Sequence, residues 1–260
     1  MLKPIRRLVA ALSLAALLGS LAFAQVLVVA QGTDAVTLDP HDTTDSPSAT
    51  VTSHLYETLF ELTPEGAIEP HLVTDYAFSD DGLTLSLDIR EDVVFHDGTP
   101  LTAEIVKGSL DRFLDPENAW TFRFLLDAVE EVAVTGDMQV ELRLANAFAP
   151  LLAHLTHSST AIVLPAAAER YGEEFAANPV GTGPFKFVAW QRNDAIELER
   201  FDGYWGEKPG VEGVRFLTVP ENATRMAMVE SGQAHVAVRV PPQDITLIDA
   251  LPDVTVHNVS

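Results

Sequence analysis

The run Asn178-Pro179-Val180-Gly181-Thr182-Gly183-Pro184-Phe185 puts two glycines and a proline directly ahead of an apolar stretch, and it restricts what can follow more than any other segment. A Gly-x-Gly sequence that opened a helix would suit a phosphate cradle, because a helix N-terminus presents free N–H groups to anions. Here Pro184 leads instead into Phe185-Lys186-Phe187-Val188, an alternation that predicts a strand. The turn is therefore structural, serving chain reversal, and it delivers the chain to a sheet. Strands predicted over 196–201 and 214–219 follow at once. A helix over 223–230, with Asn222 as its N-cap, then closes at Gly232, a suitable C-terminal stop.

Upstream, strand and helix patterns alternate too often for either a helical bundle or a pure sandwich, which makes the fold class α/β. The apolar run 26–30 predicts a buried strand that ends at Gln31-Gly32-Thr33-Asp34. A helix starting near Pro47 carries Val51, Leu55 and Leu59 at spacings of four. The segment 56–62 and the alternating 84–90 read as strands, and Gly82 and Gly98 sit in turns that need positive φ. Thr102 is the expected N-cap of a helix with Val106, Leu110 and Phe113 on one face, and 132–135 pairs with 140–144 across Gly136-Asp137. A short helix is expected within 147–155, a strand over 161–164, and a helix opened by Pro165. Val254-Thr255-Val256 reads as a last strand, and with no cap or stop signal before Ser260 the molecule is expected to continue.

Residues 1–24 combine basic Lys3, Arg6 and Arg7, an apolar stretch over 8–18 and the small-residue motif Ala22-Phe23-Ala24, the pattern of a cleavable secretory signal peptide. The chain has no cysteine, which excludes disulfides, thiolate metal sites and a lipid anchor on an N-terminal Cys. These features predict a periplasmic protein. Its net charge of −22 repels phosphate backbones and excludes nucleic acid as a partner. Such acidity also suits a salt-adapted source.

Catalytic and metal constellations are weak. His154 and His157 lie three apart on a predicted helix but lack a third ligand, so no metal is expected. Asp39, His41 and Asp42 crowd one turn, where side-chain capping of the backbone is the simpler role. No Gly-x-Ser-x-Gly elbow exists, and His157-Ser158-Ser159 is too local to build a triad. Tyr204 and Trp205, between Gly203 and Gly206, suit loop packing better than ligand stacking.

The chain resembles the extracytoplasmic solute-binding proteins, family 5, that serve ABC importers of peptides, glutathione and nickel. The resemblance is carried by Gly32-Thr33-Asp34 with Leu38-Asp39-Pro40, Tyr56-Glu57-Thr58-Leu59-Phe60, Ser79-Asp80-Asp81-Gly82 and 87–100. It continues through 178–185, Tyr204-Trp205 and Thr224-Arg225. Leu152-Ala153-His154, 161–167 and 224–243 look most like glutathione and dipeptide binders. Ser158-Ser159-Thr160 stands where the nickel-binding relatives carry an arginine-containing segment.

The resemblance implies a two-lobed α/β periplasmic-binding-protein-like fold of type II with an extra β-rich subdomain, of which only lobe I falls within this length. On that pattern residues 25–58 and 178–260 form the main subdomain of lobe I, and 59–177 the inserted subdomain. The implied function is capture of oligopeptides, dipeptides or glutathione by hinge closure and delivery to a membrane permease by a monomeric protein that is not an enzyme and carries no cofactor. A nickel-chelate binder, an envelope holdase and, last, a hydrolase are the alternatives. Relatives hold the ligand's ammonium with an acid and its carboxylate with a base, many of them from the second lobe, and no position here matches those residues. The loop after the first strand faces the cleft in the family, which makes Gly32, Thr33 and Asp34 the implied ligand-binding residues.

Overall fold

A computed structural model of the 260-residue chain describes residues 26–249 and 254–257. The signal-peptide pattern at 1–24 lies outside the described residues. One mixed sheet has the order β11-β1-β10-β9-β8. In it β1 (Val26–Gln31) runs parallel to both β10 (Gly213–Thr218) and β11 (Val236–Ala237). Strands β8 (Phe185–Gln191), β9 (Ala195–Arg200) and β10 continue it as an antiparallel meander. A second, antiparallel sheet has β4 (Val73–Phe78), β5 (Thr84–Ile89), β7 (Gln139–Leu144) and β6 (Val129–Gly136) in that order, and β2 (Phe60–Leu62) pairs with β3 (Ile68–Pro70) as a separate hairpin. A continuous set of buried apolar residues connects the two sheets, from Val29 and Phe216 in one to Leu87 and Leu142 in the other.

The helices are placed by their apolar faces. Helix α1 (Ser46–Leu55) buries Val51 and Leu55 and is capped by Asp45, whose carboxylate accepts from the Ser48 N–H at 2.9 Å. Helix α2 (Ala103–Leu114) lies over β6 and β7 with Val106, Leu110 and Phe113 no more than 1% exposed, a stripe that contributes roughly 2 kcal/mol per side chain by burial. Its expected N-cap, Thr102, accepts from Ile105 N–H at 3.3 Å. The remaining helices are short: α3 (Leu151–His154), α4 (Pro165–Tyr171), α5 (Asn222–Glu230) and α6 (Ile245–Ile248).

Four local expectations are corrected. The segment 161–164 is buried but is not a strand, because its backbone is satisfied individually: Ile162 N–H donates to Glu57 O at 2.8 Å and Val163 N–H to Ser109 Oγ at 2.9 Å. Residues 254–257 form no strand. Leu59 is buried outside α1, since the helix stops at Leu55 and only Phe60–Leu62 of 56–62 pairs as a strand. Asn222 does not cap α5; Glu221 holds that position without a side-chain bond, and the Asn222 side chain accepts from Arg225 instead.

The Gly181-Thr182-Gly183 turn has a physical reason beyond reversal. Neither glycine has positive φ, whereas Gly82 and Gly98 do, at 70° and 89°. A Cβ at Gly181 would lie 2.0 Å from Leu55 O, and one at Gly183 would lie 2.6 Å from His54 O. The turn closes on the carboxyl end of α1, where Gly183 N–H donates to Leu55 O at 3.0 Å. His96 locks it from the other side, its Nδ1 accepting from Gly181 N–H at 3.2 Å and its Nε2–H donating to Gly183 O at 3.0 Å.

Candidate functional site: the carboxyl edge of the parallel strands

Because β1, β10 and β11 are parallel, their carboxyl ends emerge on one edge, the place where open α/β sheets receive ligands. The loop after β1 brings Gly32 and Thr33 there, the loop after β10 brings Pro220 and Asn222, and the chain after β11 brings Val238 and Arg239. With the first turn of α1 these surround a cavity of about 280 Å³. Arg225, on α5, is 3% exposed and forms part of its wall. Its Nη1 donates to Val219 O at 2.7 Å and Pro220 O at 3.0 Å, and its Nη2 to Asn222 Oδ1, so the guanidinium braces the β10–α5 loop. Gly32 allows this arrangement, since a Cβ there would come within 3.2 Å of Arg225 Nη1.

Gln31 ends β1 at 1% exposure, and neither its side-chain nitrogen nor its oxygen has a hydrogen-bond partner. Thr218, paired beside it on β10, also has an unpartnered hydroxyl. Arg239 adopts a left-handed backbone, φ 59°, and its guanidinium reaches Ser46 Oγ at the start of α1. Gly32 and Thr33 thus lie on the cavity. Asp34 does not line it: its carboxylate accepts from Trp190 Nε1 at 3.1 Å and from Asn193 N–H at 2.8 Å, which ties the β1 loop to the β8–β9 turn. Gln31, Arg225 and Arg239 were not singled out as binding residues from sequence. Only the strand-ending position of Gln31 and the Thr224-Arg225 pair offered a signal.

The other polar clusters serve the fold. Asp39 caps the short turn Pro40–Asp42 through His41 N–H at 3.1 Å and pairs with Arg112 Nη2 at 2.5 Å. Arg112 Nη1 donates to His41 Nδ1 at 2.7 Å, and His41 Nε2–H donates to Ala161 O at 3.0 Å. One nitrogen must accept and the other donate, so His41 is neutral, and burial lowers its pKa to about 4 against the opposing charge of Asp39. A larger cavity of about 530 Å³ adjoins this ion pair, but its walls belong to α2, α4 and neighbouring turns, away from the strand ends, and its Asp39 and Arg112 already satisfy each other. Glu57 is likewise saturated, accepting from His71 Nε2 at 2.9 Å, Tyr204 OH at 2.9 Å and Trp205 Nε1 at 3.1 Å. Both loop aromatics are half-buried and bonded to Glu57, with Arg90 stacked 4.0 Å over Trp205, and Tyr204 and Glu57 also line a cavity of about 320 Å³. His154 Nδ1–H donates to Leu125 O at 2.6 Å, while His157 Nδ1 accepts from Ser159 N–H at 3.1 Å. Among the described residues no three His, Cys, Asp or Glu side chains come together as a metal site.

Residues 67–260 match the family model of bacterial extracellular solute-binding proteins, family 5, middle region. The chain belongs to this family. It is similar to the glutathione-binding protein GsiB of Escherichia coli K12, with 36% identity over 236 residues that cover 90% of this chain and 46% of the relative. The chain thus spans about half the length of the curated relatives it matches. Its fold superimposes on AgaA of A. tumefaciens R10, solved with agropinic acid, with a TM-score of 0.84, 29% identity and coverage of 88% of this chain and 46% of that one. It also superimposes on the ABC transporter-associated periplasmic binding protein DppA of Helicobacter pylori, solved with the peptide STSA, with a TM-score of 0.82, 27% identity and coverage of 88% and 49%. The family 5 solute-binding fold therefore holds for this α/β chain, the partial coverage matching one lobe, and no helix among the described residues is long and apolar enough to cross a membrane.

Proposed function

We propose that this chain is a lobe of the periplasmic solute-binding component of an ABC importer, and that its solute is peptide-like: a dipeptide, an oligopeptide or glutathione. The observation that carries the reading is the cavity of about 280 Å³ at the carboxyl edge of β1, β10 and β11, lined by Gln31, Gly32 and Thr33 at the end of β1 and by Arg225 and Arg239. Family membership and similarity to glutathione- and peptide-binding proteins support the solute class. Residues 25–58 and 178–260 act as the main subdomain that bears this edge, and 59–177 as the inserted one. The protein leaves the cytoplasm through the leader at 1–24, works as a monomer and catalyses no reaction.

Capture then follows a clamp mechanism. The solute lies along Gly32 and Thr33, bridges this lobe and the second lobe of a full-length family member, and shifts the population toward the closed form that docks on the permease. Because binding energy is shared between lobes, this chain by itself is expected to bind dialanine or glutathione only in the millimolar range. Amide NMR during titration tests the reading: shifts should cluster at Gln31, Gly32, Thr33 and Arg225. Shifts confined to the 530 Å³ cavity beside Arg112 would move the site there and end the present assignment.

A further inference from the structure

The antiparallel sheet of the inserted subdomain ends in an uncovered strand. Tyr76 and Phe78 of β4 register with Leu87 and Leu85 of β5, so the four side chains share one face of the sheet. Helix α2 lies over β6 and β7, and Leu85 and Leu87 are no more than 1% exposed, whereas Tyr76 and Phe78 are 37% and 41% exposed. Leu83, in the turn between β4 and β5, is a third exposed apolar side chain. The backbone is open as well. Ser79 N–H donates to Thr84 O at 2.9 Å, and antiparallel bonding alternates from there, so Ala77 bonds to β5 while Tyr76 and Phe78 turn their N–H and C=O groups outward. The Tyr76 N–H is met by Asp75 Oδ1 at 2.8 Å, and among the described residues no strand pairs on that side. Edge strands are commonly guarded by lysine or proline. Here the charge at the edge is of the opposite sign.

Residues 58–89 contain seven Asp and Glu and no Lys or Arg. Asp75 lies on the strand, Asp80 and Asp81 lie just past its end, and Glu61 and Glu69 lie on the β2–β3 hairpin, whose Phe60 ring meets Tyr76 at 5.1 Å; all five acids are exposed. We propose that β4 is a docking strand for a partner protein, taking an extended segment that alternates apolar residues with lysine or arginine and joins the sheet beyond β4. The outward N–H and C=O groups pair with such a segment, Phe78 and Leu83 give it apolar contact, and the carboxylates select its basic residues. A second copy of this chain would bring the same carboxylates together edge to edge, where like charges repel. A phospholipid surface offers no excess of positive charge. The docking strand belongs to a different sheet from the carboxyl-edge cavity, so it goes beyond the solute-binding reading and stands or falls separately from it.

The test uses the whole chain at low ionic strength, followed by amide NMR. The probes are acetyl-Lys-Val-Lys-Val-Lys-Val-amide, the same peptide with Glu for Lys, the Lys peptide N-methylated at every residue, and vesicles of phosphatidylcholine and phosphatidylglycerol. Docking requires saturable shifts centred on 74–83 with the Lys peptide and slower hydrogen exchange at the Phe78 N–H. It also requires at least about tenfold weaker binding of the Glu and N-methylated peptides, because one lacks the charge and the other the pairing groups. Phe78→Ser changes an exposed side chain and leaves the β4–β5 bonds in place, so it should weaken the Lys peptide by about fivefold through lost apolar contact. Exchanging Glu69→Lys and Asp80→Lys together should weaken it by about tenfold. No binding of the Lys peptide, equal binding of either control peptide, shifts centred outside β4, or an unchanged affinity in either variant overturns the docking strand. Shifts at β4 that depend on the concentration of the chain alone would assign the face to a second copy, and vesicle binding lost in Phe78→Ser would assign it to a lipid surface. Each of these results also overturns the proposal.

Discussion

Gly181 meets Leu55 O so closely that a methyl group in its place would sit at 2.0 Å, well inside van der Waals contact. Relief would need α1 to shift away from β8 and β9, so Gly181→Ala is expected to destabilise the chain by about 2–4 kcal/mol, measurable as a lower urea midpoint. An unchanged midpoint would refute the close-approach account. The same residue shows where sequence reasoning stops. A Gly-x-Gly-Pro turn feeding a strand was legible, but not the carbonyl that dictates its glycines, which comes from a helix more than a hundred positions earlier. Gln31 was equally opaque: a strand-ending glutamine comes to line the cavity only because the chain after β10 brings Arg225 to the same edge.

Among elements, the patterned ones were legible and the individually satisfied ones were not. Helix α2 and the β6–β7 hairpin follow their apolar periodicity and their cap, whereas the buried 161–164 segment has strand composition without a strand partner. His96 joins the loop after β5 to the turn before β8, and its bonds require a neutral ring. Burial lowers its pKa to about 4, as burial does for His41, from the ordinary 6.5. The unfolded chain therefore binds protons that the folded chain refuses, so stability is fully present above about pH 7 and falls as the pH drops from 6.5 through 4. Each ring should account for about 2 kcal/mol lost between pH 7 and pH 5. Urea unfolding at the two pH values checks this, and His96→Gln, which keeps one donor and one acceptor, should flatten the dependence. The same slope in the variant would show that His96 is not a source of it.

For the molecule as a whole, a charge of −22 makes self-repulsion a general destabilising term that counter-ions screen. Raising NaCl from about 0.05 to 1 M should lift the Tm by roughly 5 °C in calorimetry; no rise would mean that local ion pairs such as Asp39–Arg112 already offset the field. The sequence by itself determined the α/β class, the family and the absence of thiol chemistry, because apolar periodicity, turn residues and composition are properties of contiguous chain. Tertiary structure alone decided which groups meet at the carboxyl edge. It placed Gly32 and Thr33 on the cavity, tied Asp34 to Trp190, and brought Gln31, Arg225 and Arg239 together from positions about two hundred residues apart. Parallel pairing of β1 with β10 and β11 causes that convergence, and no local pattern in the chain records it.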